Sequence, residues 1–555
     1  MSTTPTAEAV SVVQSSPRTR WATAGWVLLT LFVSYVGLFD GLTAMGLVGP
    51  DEPRYAAISR AMAEGQDWVT PRLNGEPWLE KPILFYWAAA LGYRLVGDSE
   101  LAARLPSAIS ALLTALALGW MGWRLYGTTT AAVFLIVFPT TLSTFAFARG
   151  ATTDMLFAAL LALTMVAAAR LTLESGNRQR LWQVAFGSAL GLTVLAKGPA
   201  GILLTVGSLT LWGLASGRMS RLMALGRPLA WVSLGVVALP WYVMSTIRTP
   251  EFVDVFLIGH NLNRFLTPVF RHEQPFWFFG PILVLGLAPW SAFLVPGIRQ
   301  AWTRWRAGEL ATSPSLYVAC WVLFPVLFFS LSSSKLPGYV LPVIPPAALL
   351  LARTIAGFLD SRDNDARWPL LGTAVVLAGL AMAFAFPEIA IAGVPGLPLD
   401  TLRPLAPVVG VAGLAVAGAA FWRRESLAVA TVALAFSISI AYVNATMLPH
   451  LDPLLSPRAL AHRVQEESAA DSVSVYQLHR AWDYGLDYYL DRDLPEWAPG
   501  EFVGPALVVT NDSGIEALRD QDLSVEILEH FSREGVLVRV RVKVRPDRLA
   551  SASAP

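Results

Sequence analysis

Long apolar runs separated by short polar connections dominate the chain from about residue 21 to residue 445. A helix that crosses about 30 Å of hydrocarbon needs about 20 residues, and about thirteen runs approach that length. They lie near 21–39, 104–124, 128–147, 154–171, 181–196, 199–215, 229–246, 276–296, 315–332, 338–356, 369–387, 404–422 and 425–445. This pattern predicts a polytopic α-helical membrane protein.

The remaining segments divide the chain into three parts. Residues 1–20 are polar and rich in Ser and Thr, which predicts a disordered cytoplasmic tail. Residues 21–446 form the predicted transmembrane domain. In residues 447–555, strand-like pieces near 472–478, 506–510 and 536–544 alternate with helical ones, which predicts a small α/β domain.

The first connection, at about 40–103, is much longer than the other loops near the membrane. Its charged and apolar positions predict two helices lying at the membrane interface. The first spans 51–65, with Asp51 at its start and Gly65 at its end, and the second spans 80–95.

Cationic side chains in the short loops set the orientation of the chain. If Arg18 and Arg20 are cytoplasmic, alternating spans place Arg124, Arg304 and most other loop arginines on the same side. An odd number of spans then puts residues 447–555 in the periplasm.

The composition agrees with membrane insertion. Hydrophobic residues make up 54% of the chain and charged residues only 15%, against about 25% in ordinary soluble domains. A net charge of +1 gives no sign of a nucleic-acid partner. The single cysteine, Cys320, rules out an intramolecular disulfide.

Ionisable residues at or near membrane depth are costly and usually functional, and those of this chain gather on the predicted outer face. The carboxylates are Asp51, Glu52, Glu80 and Asp154, and the cations are Arg54, Lys81, Arg149, Lys197, Arg264, Arg271 and Lys335. Cations suit a lipid phosphate, and carboxylates suit a sugar, an amine or a metal.

Each residue alone has a simpler interpretation. Asp51 and Asp154 could cap helices, the arginines could contact lipid headgroups, and Tyr339 could belong to an aromatic belt. The clustering favours a functional site, because several independent simple explanations would have to coincide on one face.

Four motifs carry a resemblance to a known family. They are DEPRYA at 51–56, EKPILFYW at 80–87, TTD at 152–154 and KLPGYVLP at 335–342. In these motifs the chain resembles the bacterial aminoarabinose transferases, C-type glycosyltransferases related to the protein O-mannosyltransferases. The resemblance runs through the membrane region and into the tail, and it implies the C-type glycosyltransferase fold with about thirteen spans and an exported α/β domain.

The resemblance implies a reaction and roles for several residues. A 4-amino-4-deoxy-L-arabinose unit on undecaprenyl phosphate would be moved to a phosphate of lipid A, which lowers the negative surface charge and gives resistance to polymyxin and cationic peptides. Asp51 and Asp154 match the acidic residues of the family's site, and Glu80 joins them as the third catalytic residue. The residues predicted to bind the lipid phosphate are Lys81, Arg264, Tyr339, Arg54 and Lys335.

The expected setting is the bacterial inner membrane, with the amino terminus cytoplasmic and the site and carboxyl terminus periplasmic. The partners would be the undecaprenyl-phosphate-linked donor, lipid A and membrane lipids, acting on a monomer. No cofactor is expected to be required, although Glu80 and His260 could hold a structural divalent metal, for which zinc suits these ligands better than magnesium.

Two alternatives remain open at this stage. An O-mannosyltransferase-like enzyme, acting on a protein or glycan, would use the same outer carboxylates. A transporter of lipid-linked substrates would instead place ionisable residues in the middle of several spans and pair broken helices in two halves of the chain.

Overall fold

The chain is mostly helical in the computed structural model, which describes residues 17–65, 67–174, 178–263, 273–360, 366–390, 399–467, 473–498, 506–521 and 523–542. Most of the predicted amino-terminal tail and the end of the predicted strand at 536–544 lie outside these described residues.

The helices follow the apolar runs closely. The first ten are α1 (Pro17–Leu38), α2 (Asp51–Gly65), α3 (Leu84–Val96), α4 (Glu100–Tyr126), α5 (Thr128–Val137), α6 (Leu142–Ala148), α7 (Thr153–Thr172), α8 (Gln179–Lys197), α9 (Ala200–Ser216) and α10 (Pro228–Arg248). The next nine are α11 (Phe279–Gly286), α12 (Leu294–Arg306), α13 (Pro314–Ser330), α14 (Ile344–Asp360), α15 (Arg367–Ala385), α16 (Pro387–Ala390), α17 (Leu405–Phe421), α18 (Glu425–Tyr442) and α19 (Leu448–Leu455). A π-helical segment, Val253–Asn263, follows α10, and a 3₁₀ segment, Pro337–Val343, precedes α14.

A helix or a broken helix lies at each of the thirteen predicted stretches. Within the described ranges, seven helices are long and apolar enough to cross a membrane, or up to nine if two bent pairs count as one span each. Three shorter apolar helices are Ala24–Leu38, Ala200–Ser216 and Pro314–Ser330. The number thirteen therefore stays a prediction.

Two stretches that the sequence suggested as single spans are bent. The axes of α5 and α6 differ by 61°, and the helix Ser291–Arg306 turns by 118° from α11. Pro139 and Pro289 lie at these breaks. Proline lacks a backbone N–H and cannot continue a helix without losing a hydrogen bond, so each run restarts in a new direction.

A buried ion pair fixes the first long connection against the membrane helices. The Glu52 carboxylate accepts hydrogen bonds from Arg104 Nε at 3.0 Å and Nη2 at 2.8 Å. Arg104 also donates to three backbone carbonyls of the connection, at 2.7 to 2.8 Å. Both side chains are almost fully buried, so this pair holds the start of α2 close to the start of α4.

A two-stranded hairpin in the first connection supplies β1 (Arg72–Leu73) and β2 (Glu76–Pro77). The carboxyl-terminal part contains a four-stranded sheet in the order β3 (Val473–Val475), β4 (Ala506–Thr510), β6 (Gly535–Val542) and β5 (Leu523–Ser532). Strands β3 and β4 are parallel, and the other pairings are antiparallel. Helices α20 (Arg458–Glu467) and α21 (Arg480–Leu490) pack on one face, and α22 (Asp512–Asp520) packs on the other.

This carboxyl-terminal sheet domain is docked onto the first connection. The Arg60 guanidinium donates to the Asp491 carboxylate and to the Tyr488 carbonyl, both at 2.8 Å. Asn74 donates to Asp487 at 3.1 Å. Helix α2 is therefore covered by α21, and Arg60 is buried.

Candidate active site

Helix α2 brings a carboxylate and a guanidinium to its first turn. Asp51 begins the helix, where the partial positive charge of the helix end favours an acidic side chain. Its carboxylate is paired with Arg54 three residues later, and its side chain is 51% exposed, against 7% for Glu52. Asp51 is thus the member of this acidic pair that can reach a substrate.

Aromatic rings surround the Arg54 guanidinium. It lies 4.6 Å from the ring centre of Trp78, 5.4 Å from Tyr55 and 5.5 Å from Tyr484. Tyr484 belongs to α21, so the carboxyl-terminal domain contributes one wall of the site. Stacking of this kind restrains the guanidinium and keeps it facing Asp51.

A second carboxylate, Asp154, lies in the first turn of α7 and forms an ion pair with Lys197, the last residue of α8. An acid near a helix start and a cation near a helix end are both favoured by the helix dipoles. The Lys197 ammonium is 5.9 Å from the ring centre of Tyr339. A Cβ atom on Gly338 would lie 3.6 Å from Asp154 Oδ2, so the KLPGY segment borders this pair.

The buried Tyr55 lies within electrostatic range of both carboxylates. Burial raises the pKa of Tyr55 well above its usual value, and the negative charges of Asp51 and Asp154 both raise it further. Both carboxylates therefore lie within electrostatic range of one side chain. Burial also raises the pKa of Tyr86, with Glu80 and Asp51 acting in the same direction.

Glu80, in the first connection, faces the π-helical segment after α10. Its carboxylate oxygen is 3.9 Å from His260 Nε2, and its charge also acts on Arg54. Within the described ranges, no group of three or more His, Cys, Asp and Glu side chains could hold a metal. Glu80 and His260 supply two of the four ligands that a structural zinc site uses.

The predicted phosphate-binding residues have different surroundings. Lys81 is half-buried and directly follows Glu80, and Tyr339 borders the Asp154–Lys197 pair. Lys335 is buried and donates to the Ser332 carbonyl at 2.6 Å, so its ammonium holds its own loop together. Arg264 and Arg271 lie outside the described residues.

Arg149, grouped with the outer-face cations by sequence, has a structural role. It donates to the carbonyls of Val36, Gly37 and Asp40 at 2.6 to 2.7 Å and thereby closes the carboxyl end of α1. Burial lowers the pKa of Arg149 to about 10. Both of its Nη groups donate to backbone carbonyls, which leaves it little capacity for a substrate.

Sequence reasoning gave no specific role to three residues of the site. Lys197 was grouped with the outer-face cations, because it ends a span on that face, but it was not paired with Asp154. Trp78 resembled an ordinary interfacial aromatic residue. Tyr484 had no signal, because it is separated from Arg54 by 430 positions in the chain.

The arrangement suits an anionic substrate at the membrane surface. Two carboxylates, each paired with a cation, lie within range of one tyrosine. The nearby Lys81 can bind a phosphate, and the half-exposed Asp51 can contact a polar group carried on it. A built polar site of this kind, above apolar helices, fits a sugar attached to a lipid phosphate.

Comparison with known proteins places this geometry in context. The profile of the family described as dolichyl-phosphate-mannose-protein mannosyltransferase matches residues 26–256. A protein of Erwinia tasmaniensis named undecaprenyl phosphate-alpha-4-amino-4-deoxy-L-arabinose arabinosyl transferase is 31% identical over 496 residues, which cover 83% of this chain and 87% of that protein. A protein of the same name from Pseudomonas aeruginosa is 30% identical over 85% of this chain and 88% of its own length.

Solved structures give the same relationship. The crystal structure of ArnT from Cupriavidus metallidurans bound to undecaprenyl phosphate matches with a TM-score of 0.76 and 26% identity, covering 94% of this chain and 98% of that one. The Archaeoglobus fulgidus oligosaccharyltransferase, 13% identical with a TM-score of 0.50, covers 87% of this chain and 64% of its own and is similar in fold alone.

Proposed function

This chain belongs to the family of undecaprenyl phosphate-aminoarabinose arabinosyl transferases, and on that premise we propose that it transfers 4-amino-4-deoxy-L-arabinose from undecaprenyl phosphate to a phosphate of lipid A. The transfer takes place at the periplasmic face of the inner membrane. Adding an amino sugar to a phosphate brings a cation to the outer surface, so cationic peptides such as polymyxin are attracted less strongly.

One observation carries the proposal most directly. Asp51 and Asp154, separated by about one hundred positions in the chain, both act on the buried Tyr55, and each is paired with a cation. A transporter would not need carboxylates gathered at one surface. A transferase has to bind a sugar and two phosphates, and carboxylates and cations gathered at one place can bind these groups and stabilise the charge that develops in the reaction.

The reaction exchanges one bond for another. A phosphate oxygen of lipid A attacks C1 of the pentose, the bond from C1 to the undecaprenyl phosphate oxygen breaks, and undecaprenyl phosphate leaves with the bonding electrons. The nucleophile is already anionic, so a strong base is not required. Catalysis then consists of placing the two phosphates and stabilising the charge of the leaving one.

Residue roles follow from this chemistry. Asp51 and Asp154 hold the amine of the sugar or the positive charge that develops at C1, and Glu80 orients Lys81. Lys81, Arg264 and Tyr339 bind the leaving phosphate.

Two other predicted phosphate-binding residues act less directly. Arg54 and Lys335 shape the site, because one is enclosed by three aromatic rings and the other is bonded to its own loop.

The setting of the reaction is also part of the proposal. The enzyme acts as a monomer in the bacterial inner membrane, with a cytoplasmic amino terminus and a periplasmic carboxyl-terminal domain. The arginine-rich connections on one side of the helices support this orientation. The docking of α21 over α2 supports a role for the carboxyl-terminal domain as a cover of the site.

Catalysis without a required cofactor is a further element of the proposal. Glu80 and His260 would hold a structural divalent ion such as zinc, which would tie the segment after α10 to the first connection. Activity should survive thorough chelation. Loss of activity that one specific ion restores would contradict a metal-free reaction.

The partial match to the mannosyltransferase family over residues 26–256 supports a second candidate, transfer of mannose from a polyprenyl phosphate to a protein or glycan. The two candidates differ in product. Mass spectrometry of lipid A, incubated with purified protein and synthetic donor, detects the aminoarabinose adduct only if the first proposal holds.

The decisive variants are Asp51→Ala, Lys81→Ala and Asp154→Ala in that transfer assay. Each should lose turnover while keeping the elution profile and unfolding temperature of the native protein. Glu64→Ala, which removes an exposed charge at the other end of α2, controls for the general effect of changing charge. Native rates in all three alanine variants would refute the proposed site.

A further inference from the structure

Most of helix α12 is exposed at the surface of the protein. It belongs to the helix that turns by 118° after α11, and every residue from Ile298 to Ala307 is exposed. Val295, Ile298, Trp302 and Trp305 fall within an arc of about 80° at 3.6 residues per turn. The two indole rings are 4.9 Å apart. A short helix with one aromatic, apolar stripe and several arginines is typical of a helix lying in the membrane interface.

The other face of α12 presents a cation to the ends of the neighbouring helices. Arg304 lies about 180° around the helix from Val295. It is within electrostatic range of Arg353 on α14 and of Tyr126 at the end of α4. The Arg353 guanidinium is half-buried and lies 4.5 Å from the centre of the Tyr126 ring, and the Tyr126 hydroxyl is 3.3 Å from Ser315 Oγ.

The two arginines repel each other. In the part of the chain that the structure describes, neither Arg304 nor Arg353 forms an ion pair with an acidic side chain. Two like charges brought together at a partly buried position carry an electrostatic cost, and a bound anion would remove it. Guanidinium groups match the oxygens of a phosphate, and the two nearby hydroxyls can donate further hydrogen bonds.

We propose that Arg304, Arg353, Tyr126 and Ser315 bind the phosphate of one anionic phospholipid headgroup. A lipid suits this place better than a soluble anion, because the short helix that carries Arg304 also carries, on another face, an exposed aromatic stripe that only a membrane would cover. In the orientation given above, the site faces the cytoplasmic leaflet, whose lipids include anionic ones.

The test is lipid retention by the purified full-length protein, measured by native mass spectrometry with phosphatidylglycerol and phosphatidylcholine offered at equal concentration. The native protein should keep one phosphatidylglycerol in preference to phosphatidylcholine. Arg304→Gln together with Arg353→Gln should weaken that binding at least tenfold. Arg299→Gln, an equally exposed arginine on the same helix, should bind as the native protein does.

Three results would overturn the proposal. The double variant could keep the native preference for phosphatidylglycerol, or Arg299→Gln could lose as much of that preference as the double variant does. Inorganic phosphate could also displace the lipid fully, which would indicate a site for free anions. Because Arg353 is partly buried, its replacement could disturb folding, and Arg304→Gln alone serves as a second test. Its side chain is exposed, so the variant should fold and should still lose part of the preference.

Discussion

Asp51 and Glu52 are neighbours in the sequence with opposite surroundings, so changing each alone separates chemistry from folding. Asp51 is half-exposed and has one ion pair with Arg54. Glu52 is buried and accepts two hydrogen bonds from Arg104, together with the backbone N–H groups of Val48 at 2.9 Å and Ala151 at 2.7 Å. The informative changes are Asp51→Asn and Glu52→Gln.

The Glu52 change should lower the free energy of unfolding, whereas the Asp51 change should lower turnover. Removing the charge of Glu52 leaves the Arg104 guanidinium buried without a counter-charge, which costs about 3 to 5 kcal/mol when a buried pair is broken. An exposed pair such as Asp51–Arg54 contributes about 0 to 1 kcal/mol. Loss of the Asp51 charge should instead raise the barrier of the reaction, and losing one preorganised group in a site lowers turnover about 10² to 10³-fold.

The assay combines turnover with the apparent unfolding temperature, followed by tryptophan fluorescence at one fixed scan rate because unfolding of membrane proteins is often irreversible. Asp51→Asn should unfold within about 2 °C of the native protein and have almost no activity. Glu52→Gln should unfold several degrees lower, while its folded fraction keeps most of its turnover. An active Asp51→Asn variant, or an inactive Glu52→Gln variant of native stability, would refute these assignments.

Three further predictions follow from the contacts around the site. Tyr484→Ala should lower kcat/KM about 2- to 30-fold, the range expected from losing one cation–π contact with Arg54, and Tyr484→Phe, which keeps the ring, should have the native value. A native kcat/KM for Tyr484→Ala would contradict a role for this ring in the site. Asp154→Asn and Lys197→Met should each lower turnover. Because the two residues act as a pair, the double variant should have about the turnover of the less active single variant; fully additive losses would contradict the pairing. Burial raises the pKa of Asp487 from 3.8 to about 7, so the contribution of this carboxyl to stability is greatest below 3.8 and is lost as the pH rises to about 7; the unfolding temperature of Asp487→Asn should vary less over that interval than the native one, and equal slopes would show that Asp487 does not titrate there.

The membrane architecture could be predicted because apolar length is a strong signal. Each predicted stretch contains a helix, and the family resemblance and the C-type glycosyltransferase fold are confirmed by the relatives and the solved structures. Helix α2 has the bounds that Asp51 and Gly65 indicated. The second helix of the connection begins at Leu84 rather than 80, because residues 80–83, which include Pro82, form an irregular bend before it.

Side-chain partners could not be predicted, because they depend on contacts between distant segments. Nothing in the order of residues shows that Glu52 would be bound by Arg104, or that Arg149 would close the carboxyl end of α1. Strand β5 was missed for a related reason. It lies at the edge of its sheet, and its alternation of apolar and polar residues breaks at Ile527 and Leu528, where the register of its pairing with β6 shifts.

The accessibility of cysteines on the two sides of the membrane tests most directly whether the charged residues form one outward-facing donor site. The native Cys320 is buried and should not react with a membrane-impermeant maleimide. In intact spheroplasts, Asp51→Cys should be labelled and should be protected by undecaprenyl-phosphate-linked sugar, whereas Glu309→Cys, exposed after α12, should react only once the membrane is permeabilised. The reverse pattern, or no protection by the donor, would contradict the account.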